Sequence, residues 1–281
     1  MNKTRIEWTD AIWNPVTGCD PVSEGCRHCY AKSMAVRNRG MHGYPKEKPF
    51  AVTLRPERLR EPLGFKGRKR IFVCSMGDLF HQEVPFEFIA AVFGVMAGTP
   101  RHTCQILTKR PERMHLFFRA AERRLFSCGP LAWQVLERLS AWAHKLGVDV
   151  PTHHGGSWPL PNVWLGVSVE GQKHRDRIDT LCHIPAALRF VSFEPLLSDI
   201  GGIGEHLASN HVDWIITGGE TGPGARPMDL DWARALRDQC REAGVPFFYK
   251  GAGTATMRKK DPEYMLLDGR AHHEMPKTEG T

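Results

Sequence analysis

Three cysteines stand within eleven residues, in the run Cys19-Asp-Pro-Val-Ser-Glu-Gly-Cys26-Arg-His-Cys29-Tyr30. Cys26 and Cys29, with two residues between them, are close enough to share one metal centre. Cys19 returns to it through a loop containing Pro21 and Gly25. Thiolates are the usual ligands of iron–sulfur clusters and of structural zinc. Three thiolates on a [4Fe-4S] cluster leave one iron open. An open iron of that kind chelates the amino and carboxylate groups of S-adenosyl-L-methionine (SAM). Reduction then cleaves the sulfonium to a 5′-deoxyadenosyl radical, while the protein binds, orients and shields. Structural zinc prefers four ligands. No second Cys-x2-Cys pair completes such a set, so zinc needs His28 or a distant cysteine. The other five cysteines, Cys74, Cys104, Cys128, Cys182 and Cys240, are scattered. Cys74, Cys104 and Cys182 stand among apolar neighbours, as buried structural cysteines do.

A second set of chemistry-bearing residues follows short apolar runs. Ile71–Cys74 leads into Ser75 and Asp78, and Gln105–Leu107 into Thr108, Lys109 and Arg110. Val163–Val167 leads into Ser168 and Glu170, and Phe190–Phe193 into Glu194. Trp214–Ile216 leads into Gly218, Gly219 and Glu220, and Pro246–Tyr249 into Lys250. In parallel α/β folds the active site gathers at the carboxyl ends of the strands. Lys109, Glu194, Glu220 and Lys250 are therefore the candidates for catalysis. Ser75, Asp78, Ser168, Glu170, Gly218 and Gly219 are the candidates for cofactor contact. The turn Gly218-Gly219-Glu220-Thr221-Gly222 lets backbone amides approach a ligand. It is not a phosphate-binding Walker loop, because no Lys-Ser/Thr pair follows; an ordinary tight turn explains it equally well.

The elements that must carry these residues alternate. Strands are expected at 11–16, 50–54, 70–75, 103–108, 162–168, 188–193, 212–217 and 245–249. Helices are expected at Tyr30–Arg39, Pro85–Ala97, Pro111–Leu125, Leu131–Leu146, Lys173–His183 and Leu230–Ala243. Pro85 and Pro111 suit first turns, and Gly40, Gly147 and Gly244 suit helix stops. Alternating strands and helices imply a mainly parallel sheet covered by helices. Eight strands in 281 residues fit a complete or partial (β/α) barrel as one domain; an open doubly wound sheet is the rival. Extra helical sequence and His153-His154-Gly155-Gly156-Ser157 mark an insertion at about 116–161, either a lid or a surface elaboration. Residues 251–281 form a C-terminal extension.

Charge and hydropathy narrow the classes. The net charge of +7 permits a polyanionic partner without requiring one. Two basic sets fit a phosphate grip or solvated helix faces: Arg55, Arg58, Arg60, Lys66, Arg68, Lys69 and Arg70; and Lys109, Arg110, Arg113, Arg119, Arg123 and Arg124. No run approaches the ~18 apolar residues a membrane helix needs. The polar start, Met1–Asp10, does not read as a signal peptide, so a cytoplasmic location with reduced thiols is expected.

Long motifs carry a resemblance. Thr4-Arg-Ile-Glu-Trp-Thr-Asp-Ala-Ile-Trp-Asn-Pro-Val-Thr-Gly-Cys19, Cys26-Arg-His-Cys-Tyr30 and Phe72-Val-Cys-Ser-Met-Gly-Asp-Leu-Phe80 are three of them. Leu107-Thr-Lys-Arg-Pro111, Trp164-Leu-Gly-Val-Ser-Val-Glu170, Phe190-Val-Ser-Phe-Glu-Pro-Leu196 and Gly218-Gly-Glu220 complete the set. Together they resemble the phage three-cysteine-motif, radical-SAM-like family, a distant relative of spore photoproduct lyase. The likeness covers nearly the whole chain outside 116–160. It implies a radical SAM barrel with a [4Fe-4S] cluster on Cys19, Cys26 and Cys29. It also implies SAM or substrate contacts at Ser75, Asp78, Ser168, Glu194 and Glu220. The implied activity is isomerisation or rearrangement of a hypermodified, amino-acid-substituted thymidine in phage DNA, with a flavodoxin or ferredoxin as reductant. Two features depart from the pattern. The first cysteine spacing is three residues longer than the usual Cys-x3-Cys-x2-Cys. The segment after Lys250 is Gly251-Ala252-Gly253, where the family usually has Gln-Trp-Gly. The rival readings are a zinc-containing nucleic-acid-binding protein without catalysis, and a radical SAM enzyme for a small molecule or peptide.

Overall fold

Strand-forming apolar runs and helix punctuation produce a mixed α/β fold in the computed structural model. It describes residues 4, 6–123, 132–150, 157–209 and 211–277, except for the side chains of 122, 123 and 132–136. His153 to Gly156 and Cys128 lie outside the described residues. Seven strands line up in the order β1 (Ala11–Trp13), β4 (Arg70–Val73), β5 (Thr103–Thr108), β6 (Val163–Ser168), β7 (Leu188–Phe193), β8 (Trp214–Thr217) and β9 (Phe247–Tyr249). That order follows the chain without the reversal of a doubly wound sheet, and it has two ends, as in a partial (β/α) barrel. One expectation needs correcting. The extended segment near 50–54 is not a wall strand. It contributes β3 (Thr53–Leu54) to a separate antiparallel pair with β2 (Val16–Thr17).

The chain divides into two compact units. Unit 1 comprises 1–20, 31–165 and 183–187. Its strands β1, β4 and β5 pair in parallel, Ala11 beside Ile71 and Ile71 beside Cys104. Helix α1 (Tyr30–Arg37) begins one residue after Cys29 and buries Ala31 and Ala35. Helix α2 (Phe86–Ala97), with Pro85 in the position before its first turn, is buried from Phe88 to Met96. A Cβ at Gly94 would stand 2.3 Å from the Leu139 carbonyl oxygen, so only glycine admits helix α4 (Ala132–Lys145) at this distance. Helix α3 (Pro111–Arg123) adds Phe117 and Phe118 to the same core. Phe118 packs on Phe93 and stacks on Trp158. The helical part of the insertion thus builds core, with Leu139 and Ala143 fully covered.

Unit 2 comprises 21–30, 166–182 and 188–281. Strands β7, β8 and β9 pair in parallel, Phe193 beside Thr217 and Thr217 beside Tyr249. Helices α5 (Asp176–Cys182), α6 (Gly204–Ala208) and α7 (Leu230–Ala243) accompany them. Helix α7 has the expected bounds. Asp229 caps it by accepting from the Asp231 N–H, and Gly244 stops it at φ 69°. Its apolar stripe, Ala233, Leu236 and Cys240, is buried. The C-terminal extension runs back along β9. The Tyr249 N–H donates to the His272 carbonyl, and Phe248 bridges His273. An exposed strand edge is an aggregation template, and here the chain covers its own. Among the described residues no helix is long and apolar enough to cross a membrane.

Candidate metal centre and strand-end residues

All three motif cysteines are partly exposed. Cys74, Cys104 and Cys240 are free but buried. Burial pushes the Cys104 and Cys240 thiols up to about 12 and that of Cys74 higher still. Burial also raises the half-buried Cys182. A thiol held neutral makes a poor metal ligand. Four of the described cysteines are partly exposed, and three of the four fall in the 19–29 run, the fourth being Cys182.

In unit 1, backbone fixes Cys19. The Gly18 N–H donates to the Met76 carbonyl, and the Cys19 N–H to the Phe50 carbonyl. Gly18 has φ 86°, and a Cβ there would lie 2.1 Å from the Ala51 carbonyl oxygen. Cys74 takes a left-handed φ of 61° just after β4, turning the chain so that Ser75 and Met76 reach Asn14. Ser75 Oγ donates to Asn14 Oδ1 at 3.2 Å, and the Met76 N–H at 2.9 Å. Asp78 is buried at the crossing from β4 to β5. Its carboxylate accepts from Thr108 Oγ1 at 2.7 Å, from the Phe80 N–H at 2.9 Å and from the Lys109 N–H at 3.3 Å. Arg110 stands 3.8 Å from Asp78 and donates to the Asp20 carbonyl.

Asp20, His81 and Glu83 bring ligand-type atoms within 4.8 Å of one another. Hydrogen bonding argues against a metal there. The Glu83 N–H donates to His81 Nδ1, which puts the ring hydrogen of neutral histidine on Nε2, 3.4 Å from the Asp20 carboxylate. A metal on Nε2 would need that hydrogen on Nδ1, where a donor already points. His81 Nε2 thus lies beside Asp20, the residue after Cys19.

In unit 2, side chains fix the loop carrying Cys26 and Cys29. Ser23 Oγ donates to Glu170 Oε1 at 2.6 Å and lies 3.7 Å from Cys26 Sγ. Glu170 is fully buried, and Arg177 neutralises it at 2.9 Å while also donating to the Ser168 carbonyl. Gly25 has to be glycine, because a Cβ would sit 2.5 Å from Glu170 Cγ. Glu24 pairs with Lys173 at 2.7 Å and with His174 at 3.2 Å. The Lys173 hydrogen bond, ahead of the opposing effect of burial, pulls Glu24 from an ordinary value near 4.5 to about 2. Arg226 donates from Nη2 to the Glu24 carbonyl at 3.0 Å and holds Glu220 with Nε and its own backbone N–H, both at 2.9 Å. Burial raises the Glu220 carboxyl, but the Arg226 bonds outweigh it and leave it lowered.

These contacts sort the expected strand-end residues. Ser75, Asp78, Glu170 and Glu220 are buried and committed to neighbours in their own unit, and Ser168 is buried beneath Arg177. The Gly218 N–H donates to the Phe193 carbonyl and the Gly219 N–H to Gly251, so neither amide faces a ligand. Their lack of side chains serves packing. A Cβ on Gly219 would lie 2.3 Å from the Ala252 carbonyl oxygen, and one on Gly218 3.1 Å from Lys250 Cβ. The pair Glu194 and Lys250 differs. Lys250 Nζ bonds both Glu194 oxygens, and the two side chains remain 28% and 23% exposed. Lys109, at the end of β5, is partly buried. The Gly251-Ala252-Gly253 departure is structural too. Gly251 has φ 128° and packs against the Tyr264 ring, and Gly253 has φ 83° against the Glu220 carbonyl.

Several members of the basic sets serve the fold. Arg55 is buried and donates to Thr17 Oγ1, and burial lowers its pKa. Arg58 donates to the His42 carbonyl and Arg60 to Gly147. Arg70 pairs with Asp10 at 2.9 Å. Arg113 donates to the His81 and Val84 carbonyls and lies over the Phe86 ring. Side chains 123 and 124 lie outside the described residues. The braces Ser23, Arg177 and Arg226 escape a reading by motif. The signal for them is indirect: a buried carboxylate demands a cationic or hydroxyl partner.

A family model described as "Protein of unknown function (DUF5131)" matches residues 3–276, and the chain belongs to that family. No curated protein and no solved structure matches it.

Proposed function

We propose that this family member is a radical SAM enzyme whose [4Fe-4S] cluster is held by Cys19, Cys26 and Cys29. One observation carries the reading: three partly exposed thiols cluster within eleven residues, while Cys74, Cys104 and Cys240 are buried and held neutral and the partly exposed Cys182 stands alone. The donor set fits the group. Three sulfurs of that spacing suit a cluster with one open iron, and structural zinc would want a fourth ligand. When bound, cluster and SAM together supply a 5′-deoxyadenosyl radical for hydrogen abstraction. The protein's own part is positioning. Gly18 and Asn14 fix the approach to Cys19, and Glu170, Ser23, Glu24 and Arg226 fix the loop of Cys26 and Cys29. Glu194 and Lys250 are the strand-end pair left within reach of a substrate.

For the substrate we adopt a modified thymidine in DNA, with rearrangement of the base substituent as the reaction. The support is the motif resemblance together with the +7 charge. A stacked base must leave the duplex or be met single-stranded. The test is anaerobic reconstitution with iron and sulfide, followed by SAM and base-modified DNA. The expected results are a brown protein, loss of the chromophore in the Cys19→Ala, Cys26→Ala and Cys29→Ala variants, and 5′-deoxyadenosine from the wild type. A colourless zinc protein, or no 5′-deoxyadenosine with or without DNA, overturns the assignment.

A further inference from the structure

Seven large apolar side chains are exposed among the described residues, and five of them fall between Val22 and Met41. Helix α1 and the turn after it carry four: Tyr30 at 49%, Met34 at 44%, Val36 at 45% and Met41 at 52%. With Ala31 and Ala35 turned into the core, Tyr30, Met34 and Arg37 share one outward face by helical spacing. The following turn is tied to the helix end by the Met41 N–H to Asn38 and the Gly40 N–H to Tyr44. From Gly25 to Lys46, between Glu24 and Glu47, the sequence holds Arg27, Lys32, Arg37, Arg39 and Lys46, all exposed, and no carboxylate.

An apolar strip rimmed by cations marks a binding surface. Its two methionines, Met34 on the helix and Met41 in the turn, suit an adaptable protein contact, whereas single-stranded nucleic acid is read on successive aromatic platforms. The strip also begins one residue after Cys29. We infer that the exposed face of α1 is the docking surface for an acidic one-electron carrier protein of the flavodoxin or ferredoxin type. The inference rests on the proposed iron–sulfur function and adds its partner's seat. The carrier gives up one electron and is oxidised by one; the cluster takes it, passing from the 2+ to the 1+ state, with no bond or proton exchanged. Small, charge-steered interfaces of this kind gain on-rate from complementary patches and lose it with salt.

The experiment follows reduction of the reconstituted full-length protein by stopped flow, once with reduced flavodoxin and once with dithionite. In the wild type, the flavodoxin rate should fall steeply with added salt. Lys32→Glu/Arg37→Glu should lower the flavodoxin rate constant at low salt by about tenfold or more, with iron content and the dithionite rate unchanged. Lys46→Glu, outside the helix, should shift it the same way by less. An unchanged flavodoxin rate in both variants overturns the inference. So does weakened binding of a single-stranded oligonucleotide with reduction unaffected, which would mark a nucleic-acid surface. Equal losses with both reductants would place the damage at the cluster and also overturn it. A wild type that dithionite cannot reduce removes the iron–sulfur function itself, and the docking surface with it.

Discussion

Cys19 and Cys26 are held by different physics. Around Cys19 the constraints are backbone and steric: two main-chain hydrogen bonds, a glycine at φ 86°, and a carbonyl where any side chain would go. Around Cys26 they are ionic: Glu170 with Arg177, Glu24 with Lys173 and His174, and Glu220 with Arg226. Steric constraints are indifferent to pH and salt and intolerant of added atoms. Ionic ones tolerate shape changes but depend on both charges being present. Cys19 is thus anchored by shape within its unit, and Cys26 by charge within its own.

The largest break in that contrast is expected at Glu170. Removing one partner of a buried ion pair strands the other, at about 3–5 kcal/mol. Glu170→Ala should cost that much in urea unfolding, because Arg177 is itself buried. Adding Arg177→Met should recover part of the loss, since no uncompensated charge remains. A single variant within 1 kcal/mol of wild type would show that water replaces the carboxylate. Gly18→Ala comes next, at about 2–4 kcal/mol from overpacking plus left-handed strain. Its cost should be the same at low and high salt, whereas the Glu24 and Arg226 variants should shift with salt. Equal salt dependence at the two sites would erase the distinction.

Much of this was legible in the sequence. The strands at 103–108 and 188–193 and the helix Leu230–Ala243 have the expected bounds because hydrophobic periodicity and local caps determine them. Sheet membership is decided by partners far along the chain. Thr53–Leu54 reads as one more strand, yet it pairs with Val16–Thr17 and not with the main sheet. The site shows the same division. Residue type and strand-end position singled out Asp78, Glu170 and Glu220. Their roles depend on Thr108, Ser23 and Arg226, which lie 30, 147 and 6 positions away. An acidic residue at a strand end looks alike whether it awaits a ligand or clamps a loop. Nor does any spacing rule show an arginine turning to a carbonyl, as Arg58, Arg60 and Arg113 do.

A smaller effect tests the charge side of the contrast at Arg226. Lysine there keeps the charge but cannot reach Glu220 twice and the Glu24 carbonyl as well. Arg226→Lys should cost about 1–2 kcal/mol. With the proposed cluster reconstituted, it should also broaden the electron paramagnetic resonance signal, since the loop of Cys26 and Cys29 is loosened. A wild-type spectrum with wild-type stability would remove Arg226 from the brace.

The smallest effect is a matter of pH at Glu24, whose side chain is 37% exposed. Its carboxyl sits near 2 in the folded chain against an ordinary 4.5, held down chiefly by Lys173. A depressed carboxyl stabilises the fold fully above the unfolded value and loses that contribution as pH falls through the folded one. The stability gap between wild type and Glu24→Gln should therefore be constant from about pH 7 down to about 5. It should shrink between about 4.5 and 2 and vanish below. Urea unfolding of the two proteins across that range measures the gap directly. Because the pair is partly solvated, 0.5 M salt should narrow it at neutral pH as well. A gap that persists at pH 2, or one that ignores salt, would mean that Glu24 holds the loop by packing, and the Cys26 side would then resemble the Cys19 side.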